Sequence, residues 1–159
     1  ADGARVRAGA MSPLARIDRL DHVHPCGRDR PAAVAWYGRV LGLVPYGHGQ
    51  DDARADDHPV FPASGTGRAH GVSLFVGERS RGGDRTVAFH ASARVFLGFA
   101  AALSHDDVRA LDGRPLTPAG HDACGMAIAF DFLDPAANHL EIVTHDHGVA
   151  RAGLAGGAR

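Results

Sequence analysis

Apolar residues recur at every second position over short runs and at helical spacing over two longer ones, and the order of these runs repeats once along the chain. The first unit opens with a strand over Ile17–His24. It leads to a helix whose start is marked by Asp29 and Pro31, whose apolar side carries Val34, Tyr37 and Leu41, and which Gly42 closes. Three short strands follow over Val44–Gly47, His58–Pro62 and Gly71–Gly77, parted by DDARADD and ASGTG. Arg79–Asp84 (RSRGGD) reads as a linker. The second unit opens the same way, with a strand over Thr86–Ala91 and a helical stretch carrying Val95, Phe96, Phe99 and Leu103 on one side. Ser104 and Asp107 predict a further turn or short helix that ends near Gly113. Two strands, Met126–Leu133 and His139–Val143, then flank the turn DPAAN. One globular domain is expected, with a first unit over 17–83 and a second over 84–147. Residues 1–16 and 148–159 are rich in Ala, Gly and Arg without a hydrophobic period, which predicts mobile ends.

Composition narrows the class. With 159 residues, 45% hydrophobic and 22% charged, the chain can bury a core as one domain. Its net charge of −1 balances 17 basic against 18 acidic residues, and no basic run interleaves with aromatics, which argues against a nucleic-acid partner. Cys26 and Cys124 are far apart and match no zinc or disulfide framework, so a reducing cytoplasm is expected. No run of 18 apolar residues occurs, and ADGARVRAGAMSPLAR lacks the apolar core of a signal peptide. A membrane partner is not expected.

Four stretches carry a resemblance: LDHV around His22, AWYGRVLGL ending at Leu43, TVAF from Thr86 and FDFLDPAANHLEIV over Phe130–Val143. Together they resemble the vicinal-oxygen-chelate superfamily of glyoxalases, bleomycin-resistance proteins and extradiol dioxygenases. The resemblance covers Ile17–His147, and DPxxN followed by xLE is its most specific piece. It implies an α+β fold in which two βαβββ modules form an incomplete barrel with helices outside and a ligand cavity inside, commonly as a homodimer. Strand alternation can be read beside it. Leu140 and Ile142 share one face of the last strand, and His139, Glu141 and Val143 share the other. Val87 and Phe89 are expected under the helix, leaving Thr86, Ala88 and His90 toward the cavity. His22, His24 and Cys26 fall on one face, and Ser73 and Phe75 lie opposite Val72, Leu74 and Val76.

The metal positions of metal-using relatives map to His22, Ser73, Thr86 and Glu141. His22 and Glu141 suit a divalent ion, whether Fe²⁺, Mn²⁺, Zn²⁺ or Ni²⁺, and Glu141 is also the catalytic candidate. The hydroxyls of Ser73 and Thr86 are poor ligands, so the set is incomplete and both are expected to contact substrate instead. His24 and His90 are the candidates to complete the set: His24, about 7 Å along the strand from His22, could join a metal if the strand bends, and the distance of about 13 Å from Thr86 argues against His90. His24, His90, Phe75 and Phe130 complete the expected substrate contacts, with Phe75, Phe130 and Phe132 as cavity lining. Asp134, Pro135 and Asn138 are expected to shape the last hairpin, where Ala137 stands in place of the family's usual glycine. THDH over residues 144–147 reads as an exposed turn. Two functions follow: a metal-dependent lyase or ring-cleaving dioxygenase acting on an oxygen-bearing small molecule, and a metal-free protein that sequesters an antibiotic or metabolite.

Overall fold

A computed structural model describes residues 22–45, 62–63, 71–77, 85–125 and 127–156, except for the side chains of His22, Pro62 and Cys124. The segment 1–16, the strand residues before His22, most of His58–Pro62 and the linker Arg79–Asp84 lie outside the described residues.

The first two helices form where capping chemistry supports them. Helix α1 spans Arg30–Leu41, and the Asp29 carboxylate accepts the Ala32 N–H at 2.9 Å while Pro31 occupies the first turn. Gly42 ends it at φ 66°, and the Gly42 and Leu43 N–H groups bond the carbonyls of Gly38 and Tyr37. Helix α2 spans Ala93–Ala102, where Ser92 Oγ accepts the Val95 N–H and Asp146 Oδ2 accepts the Ala93 N–H at 3.1 Å. No helix follows it from Ser104. A turn follows instead, in which the His105 N–H bonds the Ala102 carbonyl, and Arg109 then bridges to Pro115 and Leu133.

The first strand is interrupted. It divides into β1 (His22–Val23) and β2 (Cys26–Gly27), with Pro25, which has no N–H to give a ladder, at the break. The expected strand over Gly71–Gly77 divides in step, into β5 (Gly71–Val72) and β6 (Phe75–Val76). Between them come β3 (Val44–Pro45) and β4 (Pro62–Ala63). The second half holds β7 (Thr86–His90), β8 (Asp122–Cys124), β9 (Ala127–Leu133) and β10 (His139–Thr144). Strand β8 lies between Gly113 and Met126, where the pattern placed no element. Strand order is β1-β5-β4-β3 in one sheet and β7-β10-β9-β8 in the other, and in both the first strand runs parallel to the last. A further pair joins β2 and β6, and no sheet closes on itself among the described residues. Residues 148–156, expected within a mobile tail, fall in helix α3 (His147–Gly156), which buries Ala150 and lays Gly153 against Leu97 of α2. Ala150 and Leu154, four residues apart in Ala/Gly-rich sequence, lie on the face this helix turns to the core, while Val149 is exposed.

The core lies between the helices and one face of the second sheet. Ile128, Phe130 and Phe132 of β9 and Leu140 and Ile142 of β10 point to that face, because antiparallel pairing sets Ile142 opposite Phe130 and Leu140 opposite Phe132. Phe96 stacks on Phe130 with ring centroids 5.0 Å apart, and Phe99 packs against Phe130 and Phe132. Each such ring contributes about 1.5–3 kcal/mol by leaving water. Trp36 extends the cluster from α1 to Phe132.

A carboxylate is buried beside this core. Asp134 is 5% exposed and accepts four hydrogen bonds: Tyr37 Oη at 2.9 Å, the Ala136 and Asn138 N–H groups, and Asn138 Nδ2 at 2.8 Å. Asn138 Nδ2 also donates to the Cys26 carbonyl at 3.0 Å, so the turn is fastened to α1 and to β2 together. Ala137 adopts φ 63° to complete it. Burial first, then the charge of Asp134 and the hydrogen bond to it, push the Tyr37 phenol above its ordinary range. A phenol raised in the folded state stabilises the fold below its unfolded pKa of about 10, and that stability is lost as pH climbs beyond it. Urea titrations should therefore show unfolding free energy falling above about pH 10 by up to about 1.4 kcal/mol per pH unit. Tyr37→Phe should lose about 1–3 kcal/mol at neutral pH and flatten the alkaline slope. A wild-type midpoint that stays level across that range would contradict the assignment.

Candidate functional site

The face of the second sheet turned away from the helices is built by the alternate residues. Parallel pairing sets His139 beside Thr86, Glu141 beside Ala88 and Val143 beside His90, and antiparallel pairing sets Glu141 opposite Asp131. Side chains on this face are half-buried or exposed, while Leu140, Ile142 and Thr144 between them are buried. Glu141 therefore lies where alternation put it, opposite the helix-covered side.

Three of these side chains form one chain of hydrogen bonds. Thr86 Oγ1 lies 2.9 Å from His139 Nδ1, and His139 Nε2 lies 2.6 Å from Asp131 Oδ1. The Asp131 carboxylate can only accept, so Nε2 carries the proton; in the neutral ring Nδ1 is then an acceptor, and Thr86 donates its hydroxyl proton to it. Glu141 flanks the chain and has no hydrogen-bond partner among the described residues. Two carboxylates directly opposite on neighbouring strands repel each other. The bond from His139 relieves Asp131 and leaves Glu141 as a half-buried acceptor.

Neither His139 nor Asp131 was singled out as a site residue by the sequence. A signal was present: Asp131 is a lone acid between two phenylalanines in an apolar strand, and it shares parity with Glu141 once the hairpin register is known.

The other expected contacts are dispersed. Phe130 is corrected: at 0% exposure it is core on the helix-covered face, because it pairs with Ile142, and Phe132 is buried with it. Ser73 is also fully buried, and its hydroxyl meets no partner among the described residues. His24 sits at the break in the first strand with its ring 4.7 Å from that of Phe75, so these two are brought together. His90 is exposed and stacks on His145 at 5.5 Å. Residues 144–147 do more than turn: Thr144 is buried, and Asp146 caps α2.

The side chain of His22 lies outside the described residues. Among the described residues no three His, Cys, Asp or Glu side chains converge as an ion requires. Thr86 presents a neutral hydroxyl already engaged by His139, and Ser73 is a fully buried neutral hydroxyl. The described donor set does not fit a three-ligand centre.

A cavity of about 690 Å³ opens elsewhere. It lies between the end of α1, α2 and β7 and is lined by Val40, Leu43, Phe89, Phe99 and Leu103, with Arg39 and Asp106, an ion pair, at its walls. Of the expected site residues only His90 reaches it. Volume and chemistry therefore disagree, and the convergent polar groups mark the candidate site, since orientation and specificity come from such groups. Imidazole ¹⁵N spectra should show His139 with a protonated Nε2 and an unprotonated Nδ1 in its neutral form, and Asp131→Asn should alter that tautomer balance. The opposite tautomer in the wild type would break the chain as drawn.

No protein-family model and no curated protein matches the chain. Solved structures do. The fosfomycin resistance protein FosX from Mesorhizobium loti is 16% identical, with 81% of this chain and 93% of that chain covered and a TM-score of 0.57. A putative glyoxalase family protein from Bacillus anthracis is 18% identical over 82% of this chain and 97% of its own, with a TM-score of 0.55. A glyoxalase/bleomycin resistance protein from Albidiferax ferrireducens is 15% identical over 79% and 97%, also at 0.55. The sheet topology, the Asp134–Asn138 turn and these likenesses agree that the chain has the vicinal-oxygen-chelate fold.

Proposed function

We propose that this chain is a small-molecule-binding protein that holds its ligand against the face bearing Thr86, Asp131, His139 and Glu141, by hydrogen bonding in place of chelation. The observation that carries this reading is Glu141: a half-buried carboxylate without a partner, set opposite a second carboxylate, on rigid strands. A ligand hydroxyl, amide or ammonium donor would satisfy it, and burying such a group unsatisfied is costly. His24 with Phe75 and the exposed His90 are proposed as further contacts. In this reading the two halves of the chain enclose the ligand between their sheets, and two copies associate. Two of the solved relatives are named for resistance to fosfomycin or bleomycin, so both compounds belong in a first ligand panel.

Purified untagged protein should be analysed for metal after incubation with Fe²⁺, Mn²⁺, Zn²⁺ or Ni²⁺, and screened by native mass spectrometry against oxygen-bearing antibiotics and metabolites. Expected are less than stoichiometric metal in all four cases and a retained organic ligand whose affinity falls at least about tenfold in Glu141→Ala. One tightly held ion per chain, lost in both His22→Ala and Glu141→Ala, would overturn the reading in favour of a metal-dependent lyase or dioxygenase.

A further inference from the structure

The hydrogen-bonded chain on this face has the form of an activated nucleophile: a hydroxyl on a base, and the base held by a carboxylate. We propose that Thr86, His139 and Asp131 form a hydroxyl-activating relay that accepts an acyl group from a small activated ester onto Thr86. The proposal rests on reading this face as the ligand side and adds a covalent step to it.

Geometry supports each role. All three residues stand on adjacent strands of one sheet, so their separations are fixed by β-ladders and not by loops. The Thr86 to His139 separation of 2.9 Å is within reach for proton transfer. The 2.6 Å bond to Asp131 holds the ring with Nδ1 toward Thr86. Exposure follows the roles: Thr86 is open to solvent, whereas the His139 side chain is only 20% exposed. An oxyanion donor is also at hand. Strand β7 is at the end of its sheet, and because the Ala91 N–H bonds the Val143 carbonyl, alternation turns the Ala88 N–H away from β10, toward the open edge.

The step balances without a co-reactant other than water. Thr86 Oγ1 gives its proton to His139 Nδ1 as the oxygen forms a bond to the acyl carbon. The bond from that carbon to the leaving alcohol breaks, and the alcohol departs with the proton from Nδ1. Water then attacks the acyl-threonine, passing a proton to Nδ1, and the carboxylic acid leaves as Thr86 recovers its hydroxyl proton. Asp131 remains a positioning residue throughout.

The probe is p-nitrophenyl acetate with the full, untagged chain, read by p-nitrophenol release and by peptide mass spectrometry. The chain contains no lysine, so acetylation of ε-amino groups cannot mask the result. Acetyl-Thr86 is expected in folded wild-type protein, absent in Thr86→Val and restored in Thr86→Ser. His139→Gln should slow acylation by about 10²–10⁴-fold. Asp131→Asn should lower kcat with KM little changed, a split that loss of packing alone would not produce. Thermal melts check that each variant folds, and Thr86→Val, which removes a hydroxyl while keeping the side-chain shape, carries the test if the histidine variant does not. Wild-type protein with no acetyl on Thr86, or Thr86→Val reacting at the wild-type rate, overturns the relay. Ligand retention is measured on unreacted protein, so a failed relay and a failed ligand site give separate results.

Discussion

A carboxylate taken out of water is tolerated only when its lone pairs are filled, and Asp134 fills its own with a phenol, two backbone amides and a side-chain amide. These bonds come from α1 and from the turn, and one of the donors reaches on to β2. Two amides belong to the turn itself, the phenol to α1, and the Asn138 amide continues to the Cys26 carbonyl. The β9–β10 hairpin is thereby set against the first half of the molecule in one register. A slip of one residue would break these bonds and would carry Phe130, Phe132, Leu140 and Ile142 to the opposite face.

The candidate site follows from that register. With the apolar alternates packed on Phe96 and Phe99, the remaining alternates must face the other way, and among them are Asp131, His139 and Glu141. Parallel pairing with β7 then delivers Thr86 to His139, across 53 residues of sequence. Stability and chemistry thus occupy the two sides of one hairpin. The acceptor-rich face adds little to the core; it is held in shape by the face beneath it. Such division suits ligand binding, because a polar group fixed on a strand loses little further freedom when it meets its partner.

How legible this was depended on the range of the interaction. Asp29, Pro31 and Gly42 announced α1 because caps act within a turn of helix. The faces of Leu140, Glu141 and Ile142 could be read because alternation is local to a strand. Phe130 was misplaced because its side depends on pairing with Ile142, which a count along one strand does not contain. The Thr86–His139–Asp131 chain was hidden for the same reason, since it spans three strands. The break at Pro25 was signalled by proline itself, but its echo between Val72 and Phe75 is a consequence of pairing. Ala137 shows tertiary context prevailing over local preference: it takes the left-handed conformation usually left to glycine, at a cost of about 1–2 kcal/mol that the bonds around Asp134 offset.

The dependence of the fold on Asp134 as a shared acceptor can be measured by a double-mutant cycle in urea, using Tyr37→Phe, Asn138→Ala and the pair. Both side chains bond the same carboxylate, so the account predicts a coupling of at least about 0.5 kcal/mol, with the second loss differing from the first. Effects that add within about 0.3 kcal/mol would show that the two bonds act independently, and would contradict the claim that one buried carboxylate sets the register of the hairpin.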